Sequence, residues 1–359
     1  MHSGCQAVAF LGIIGIVIAF ANGKKTVAGQ GPEGYGTGWR MLDERVEQIA
    51  DDAAQGKLPA RSDIMYLLRF DAYSPEAAYV CAKARQVGMR ACDGRGYVYA
   101  QIGVDETACP ENCLFCSFAA TNVDPETYDP SHVQVPIGRI VHYAKVFDDA
   151  GVDLISLMAT AGLDFERYLD MVRAVRASVR DDLVIMANTG DLSIEQAQAL
   201  KEAGATAAYH ALRLGEGEIT DIKPIDRRRT IRYLHAAGLQ LMTGVEPVWD
   251  GIDPLTLSER ICDIPEFNPF CVGACSLTAV EGVDVCGRRP ARTGMVRYVG
   301  ALTRLVCGDG VPVGGIGGVA WVDAGCDPRD RGYGEDEAAL RKKITAAKNR
   351  LALDGFKVE

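Results

Sequence analysis

Between roughly residues 150 and 325 the chain repeats one pattern, a short apolar run followed by a longer stretch with apolar residues three and four apart. The pairs are VDLISLMAT (152–160) with DFERYLDMVRAVRASV (164–179), DLVIMANTG (182–190) with SIEQAQALKEAG (193–204), ATAAYHALRL (205–214) with DRRRTIRYLHAAG (226–238), and LQLMTGVEPV (239–248) with LTLSERICDI (255–264). NPFCVGACSLTAV, TGMVRYVGALTRLVCG and VPVGGIGGVAWVDAG continue the alternation. Strand and helix recurring every thirty residues or so predict right-handed parallel βαβ units, hence an α/β barrel or a doubly wound sheet. No dinucleotide fingerprint or phosphate-loop lysine motif stands at a strand end, which favours a barrel, full or partial. In such barrels chemistry gathers at the C-terminal ends of the strands.

Three helical stretches precede the repeats: MLDERVEQIADDAAQG (41–56), ARSDIMYLLRF (60–70) and SPEAAYVCAKARQVG (74–88), the last with Ser74 as N-cap and Glu76 near its first turn. The expected division is an apolar segment and glycine-rich linker over 1–40, a helical extension over 41–96, the barrel over 97–335 and a C-terminal helix over 336–359. Ala7 to Ala21 carry no charge and are followed by Lys24 and Lys25. The run is short for a membrane span, but the charge order suits a tail in contact with a membrane through residues 7–21, with the bulk of the chain in the cytoplasm. A buried helix or a misassigned start of the reading frame would account for the same run.

A net charge of -10 argues against nucleic acid, because no diffuse basic surface is available for phosphates. Arg227, Arg228 and Arg229 read as a solvated helix face or a helix start at least as well as a phosphate site. Twelve cysteines are many, yet they are spread over a chain far larger than domains that need disulfide stapling. The five histidines show no pairing at zinc-ligand spacing. Three cysteines do cluster, in CPENCLFCSFAA (109–120), directly after the strand candidate YVYAQIGV (97–104). Cys109, Cys113 and Cys116 suit three corners of an iron-sulfur cubane, whereas a closed zinc site needs a fourth ligand and none follows locally. An iron without a protein ligand would be free to bind a substrate or cofactor.

Cys-x3-Cys-x2-Cys with an aromatic residue, Phe115, before the last cysteine resembles the cluster loop of radical S-adenosylmethionine (SAM) enzymes. ACPENCLFCSFAA and DLVIMANTGDLSIEQAQALKEAGATAAYH are similar to the biotin synthase-like group, which also holds hydrogenase-cofactor maturases and methylornithine synthase. The likeness covers roughly residues 60–335. It implies a radical SAM α/β barrel in which Cys109, Cys113 and Cys116 ligate a 4Fe-4S cluster and SAM is cleaved to a 5'-deoxyadenosyl radical. A small-molecule substrate then loses a hydrogen atom, and flavodoxin or ferredoxin serves as electron donor. MATAG (158–162) falls where the family's backbone meets the SAM amino group, giving Ala159, Thr160, Ala161 and Gly162 as cofactor-binding, although the usual Gly-Gly-Glu is absent. Arg213 falls where related maturases oppose the SAM carboxylate; a surface pair with Glu216 or Glu218 is the competing reading. Gly244, Val245 and Glu246 correspond to the segment behind the adenine, with Pro247 in place of a second glycine.

The second cluster that biotin synthase uses as sulfur donor finds no thiolates here. Leu157 or Met158, Met186 and Met242 stand at its cysteine positions and Gly317 or Gly318 at its arginine, which implies chemistry other than sulfur insertion. Cys262, Cys271, Cys275, Cys286, Cys307 and Cys326 offer a differently ligated auxiliary cluster, and Cys271 and Cys275 share a strand face; buried cysteine is also simply a small hydrophobe. A non-catalytic iron-sulfur or scaffold protein is the remaining alternative. Tyr209, His210, Met242, Glu246, Trp321 and Asp323, near predicted strand ends, are the candidate substrate pocket.

Overall fold

The computed structural model describes residues 42–358 except 125, 127, 129–134, 281, 284, 286 and 325–335. Residues 7–21, Cys286 and Cys326 thus lie outside the described residues. Among those described, no helix is long and apolar enough to cross a membrane.

Eight strands form the sheet: β1 Tyr97–Gly103, β2 Leu154–Met158, β3 Val184–Asn188, β4 Ala207–Tyr209, β5 Gln240–Val248, β6 Cys271–Ser276, β7 Val313–Gly314 and β8 Val319–Ala324. They pair in the order β7-β6-β5-β4-β3-β2-β1-β8, every pair parallel. The result is the expected barrel, nearly closed, with β7 and β8 at the two ends of the order. Alternation along each strand divides its residues between two cores. Tyr99, Leu154, Met186, Ala207, Met242 and Cys271 meet inside as the barrel floor, while Val98, Ile155, Leu157, Ile185, Leu241 and Val272 join the larger core shared with the helices.

The run VPVGGIGGVAWVDAG is two strands rather than one. Gly314, Gly315, Gly317 and Gly318 take φ of 84°, 82°, 78° and 77° and turn the chain between them. At Gly314 a Cβ would also run into the Val272 carbonyl of β6. Helices α1 Glu44–Ala54, α2 Arg61–Leu67 and α3 Pro75–Ala91 form the N-terminal extension, followed along the chain by α4 Ile137–Asp149, α5 Phe165–Arg176, α6 Ile194–Glu202, α7 Pro224–Ala236, α8 Pro254–Asp263, α9 Thr293–Cys307 and α10 Glu337–Leu353. The sequence reading passed over α4, though Ile140, Tyr143, Ala144 and Phe147 are buried at helical spacing. The extension packs onto the barrel helices. Tyr298 of α9 donates to the Leu67 carbonyl at 2.8 Å, and Arg90 of α3 forks onto Asp309 at 2.8 and 2.9 Å.

Ser74 caps α3 as expected, its hydroxyl accepting from the Ala77 amide at 3.1 Å. Ser74→Ala should cost about 1 kcal/mol, read as a lower urea midpoint at unchanged slope; an unmoved midpoint would show the cap to be idle.

Candidate functional site

At the C-terminal ends of the strands the barrel opens into a cavity of about 730 Å³. Its most distinctive wall is the loop after β1, which is built from backbone contacts. The Cys109 amide donates to the Phe118 carbonyl at 2.7 Å, the Ala120 amide returns to Cys109 at 2.9 Å, and the Cys116 amide reaches Cys113 at 2.8 Å. Asn122 donates its side-chain amide to the Cys116 carbonyl at 2.9 Å and to that of Leu114 at 3.3 Å. The loop is also stitched to the segment after β4. The Leu114 amide donates to Ile219 at 2.9 Å, and Asn112, with a left-handed φ of 44°, donates to Asp221 at 2.8 Å.

Asp105 ties this loop to the one after β2. Its carboxylate accepts from the Thr107 amide at 2.9 Å and from the Thr160 hydroxyl and amide at 2.8 and 3.3 Å. Gly162 allows the approach, because a Cβ there would lie 2.5 Å from the Ala108 carbonyl.

Cys109, Cys113 and Cys116 are free thiols and all three line the cavity, together with Phe115. Burial pushes the Cys113 pKa up to about 12, with Arg213 opposing and the neighbouring cysteines adding to the rise. Burial likewise raises Cys116. Such thiols ionise readily only when a metal takes up the charge. Among the described residues no three His, Cys, Asp or Glu side chains converge enough to hold a single ion. One tetrahedral ion needs its sulfurs about 2.3 Å away, whereas a multi-iron cluster takes its thiolates at separate corners. Three soft sulfurs on one pinned loop are a donor set of the kind such a cluster takes.

Around the loop stand the other expected positions. Ala159, Thr160 and Ala161 line the cavity, as do Arg213, Gly244 and Glu246. Arg213 is not in a surface pair with Glu216 or Glu218: its Nε donates to Glu246 of β5 at 3.2 Å. Burial works against its charge, but Glu246 and Tyr209 raise its pKa overall, so it stays a cation. Gly244 lets β5 approach β6, since a Cβ there would sit 2.7 Å from the Gly273 carbonyl. Val245 belongs to the outer core, and Gly162 serves the contact between loops; neither is part of the cavity lining.

Of the expected substrate pocket, Tyr209, Met242, Trp321 and Asp323 line the cavity. His210 does not. One residue past the inward-facing Tyr209, it turns the other way and packs among polar groups, Nε2 lying 2.8 Å from Asp191 Oδ1 and 3.1 Å from Arg227 Nη1. Burial and the Arg227 cation push its pKa down to about 4, so the ring is neutral at pH 7. Arg227 corrects the reading of its basic run. Its side chain is 4% exposed, pairs with Glu216 at 3.3 Å and Asp191 at 3.5 Å, and reaches the cavity. For Arg228 and Arg229, 35% and 49% exposed, the solvated face holds, and α7 begins at Pro224 as a helix start there requires.

Tyr99, Gln101, Asp105 and Glu111 also line the cavity and were missed. Alternation within YVYAQIG was the available signal for the first two. For the methionine positions, Met186 and Met242 are inside the barrel and Leu157 is outside, leaving Met158 as the cavity residue on β2. The proposed auxiliary cysteines do not assemble among the described residues. Cys271 is in the floor, Cys275 faces the cavity beside Glu246, and Cys262 and Cys307 are on α8 and α9.

Residues 107–252 match the model of the Radical SAM superfamily. In sequence the chain is similar to the biotin synthase of Picosynechococcus sp., 29% identical over 178 residues, which are 46% of this chain and 47% of that protein. It is also similar to the biotin synthase of Gloeothece citriformis, 26% identical over 240 residues, 63% and 66% of the two chains. The chain thus spans about half to two thirds of the length of these relatives. In structure it resembles methylornithine synthase, with a TM-score of 0.69 at 16% identity over 87% of this chain and 97% of that one. The FeFe-hydrogenase maturase HydG from Carboxydothermus hydrogenoformans gives 0.62 at 16% identity, over 85% and 69%. Over residues 107–252 the chain is thus similar to the radical SAM superfamily, it is related in sequence to biotin synthases, and it shares the fold of the two solved proteins.

Proposed function

We propose that the protein is a radical SAM enzyme that abstracts hydrogen from a small organic substrate and does not insert sulfur. The observation that supports it most is the gathering of Cys109, Cys113, Cys116 and Arg213 on one cavity at the strand ends. In this reading Cys109, Cys113 and Cys116 would hold a 4Fe-4S cluster, which when bound would supply the one-electron reduction needed for cleavage of a C–S bond of SAM. The chain's own contribution is placement. Arg213, kept charged and aimed by Glu246, offers a planar guanidinium to the SAM carboxylate. Ala159, Thr160 and Ala161 present backbone to its amino end, and Gly244 leaves room beside β5. Met186 and Met242 close the floor with apolar surface and shed water, so that a radical meets substrate rather than solvent. An external one-electron donor of the flavodoxin or ferredoxin kind completes the reaction.

Sulfur insertion would need anionic ligands for a second cluster converging from several strands. Met158, Met186 and Met242 offer thioethers there. Dethiobiotin should therefore stimulate neither SAM cleavage nor biotin formation. Metal stoichiometry beside a biotin assay checks this: about four irons per chain and no biotin agrees, while a second cluster consumed as biotin forms would overturn it.

A further inference from the structure

The positions assigned to SAM occupy the ends of β2, β4 and β5, leaving the arc of β6, β8 and β1 to the substrate; this division rests on the radical SAM reading. On that arc the rings of Tyr99 and Trp321 meet with centroids 4.1 Å apart. Trp321 keeps 43% of its surface exposed and lines both the cavity and a second hollow beside Lys343 and Arg350 of α10. Two residues further along the same paired strands, the Gln101 amide donates to Asp323 Oδ1 at 2.6 Å. The arc is thus an aromatic shelf with a carboxylate at its edge.

The charges of the cavity are unevenly committed. Arg213 is held by Glu246, and Arg227 by Glu216 and Asp191. Asp105 is satisfied by Thr107 and Thr160. Among the described residues, the Asp323 carboxylate is paired with the Gln101 amide, while Lys343 donates to the Asp323 main-chain carbonyl at 3.2 Å and not to the carboxylate. Glu111 also lines the cavity. Both lining arginines are occupied, and the charge left over is acidic.

We infer that the substrate carries a cationic nitrogen, a primary amine or a guanidine, on a flat or apolar body. The body rests on Tyr99 and Trp321, and the nitrogen reaches the free oxygen of Asp323. The aromatic faces attract such a cation as well, and the carboxylate gives it a charge-assisted hydrogen bond. A substrate presenting a carboxylate or phosphate at this edge would meet Asp323 with no uncommitted arginine to offset it.

Binding can be read without any radical chemistry, by ligand-observed NMR saturation transfer on the full chain with SAM present. The probes are phenethylamine, its neutral counterpart 2-phenylethanol and the anionic 3-phenylpropanoate. The amine should bind at least tenfold more tightly than the other two, and Asp323→Asn should remove that preference while SAM still binds. Equal binding of the three, preference for the anion, or no amine binding at millimolar concentration beside intact SAM binding would overturn the inference. Loss of SAM binding or of iron would instead count against the radical SAM reading, so the two failures are distinct.

Discussion

Replacing Cys109, Cys113 and Cys116 together by alanine should leave a folded chain that retains no iron-sulfur cluster and forms no 5'-deoxyadenosine. The fold should persist because the loop is held by main-chain bonds, Cys109 to Phe118, Ala120 to Cys109 and Cys116 to Cys113, and by Asn122 and Asn112, none of which needs a thiol. Two of the three side chains belong to residues that are only partly buried, so little packing is lost. The cluster, in contrast, depends on all three sulfurs, because a cluster of this kind takes its irons on separate thiolates. Iron and sulfide after anaerobic reconstitution should fall from about four per chain to background. Unchanged iron with an unchanged visible spectrum would place the metal elsewhere and remove the basis of the proposal.

The second large effect concerns Arg213. Arg213→Ala should keep its iron yet bind SAM more weakly by on the order of 1.5 to 3 kcal/mol, one charge-assisted contact, or roughly ten- to hundredfold. Part of any loss could come from stranding Glu246, whose Oε1 lies 3.2 Å from the arginine. A double-mutant cycle with Glu246→Gln separates the two effects. If Arg213 serves only to neutralise Glu246, the double variant recovers SAM affinity; if it opposes the carboxylate of SAM, the double variant stays weak. Arg213→Lys should recover little, because a point charge does not reproduce the planar fork. Equal SAM affinity in Arg213→Ala and the unmodified chain would leave Arg213 with a purely structural pairing.

Much of this site was legible because parallel strands announce themselves as apolar runs and place their next residues at one end of the barrel. The cysteine loop follows from that rule, while Ala159 to Ala161, Arg213 and Glu246 follow from the family resemblance laid over it. What escaped depends on facing, and facing changes with a shift of one residue. β4 spans only Ala207–Tyr209, too short for its alternation to be read, so Tyr209 and His210 looked equivalent although one lines the cavity and the other is buried behind it. The choice between Leu157 and Met158 was left open because facing had to be settled on a strand of five residues. Arg227 was hidden by its neighbours. Arg228 and Arg229 are partly exposed and pair with Asp263 and Asp226, and nothing in three consecutive arginines says which one turns inward. Helix α4 lacked a starting signal, since Pro136 offers no side-chain cap, and the β7–β8 division depends on glycine conformations that a run of glycines only permits.

The most direct test of the account is SAM cleavage itself. The reconstituted, iron-replete protein is reduced without oxygen, given SAM, and analysed by chromatography and mass spectrometry. The account predicts 5'-deoxyadenosine and methionine in the unmodified chain and none in the triple alanine variant; SAM that stays intact beside a reduced, fully loaded cluster would contradict it.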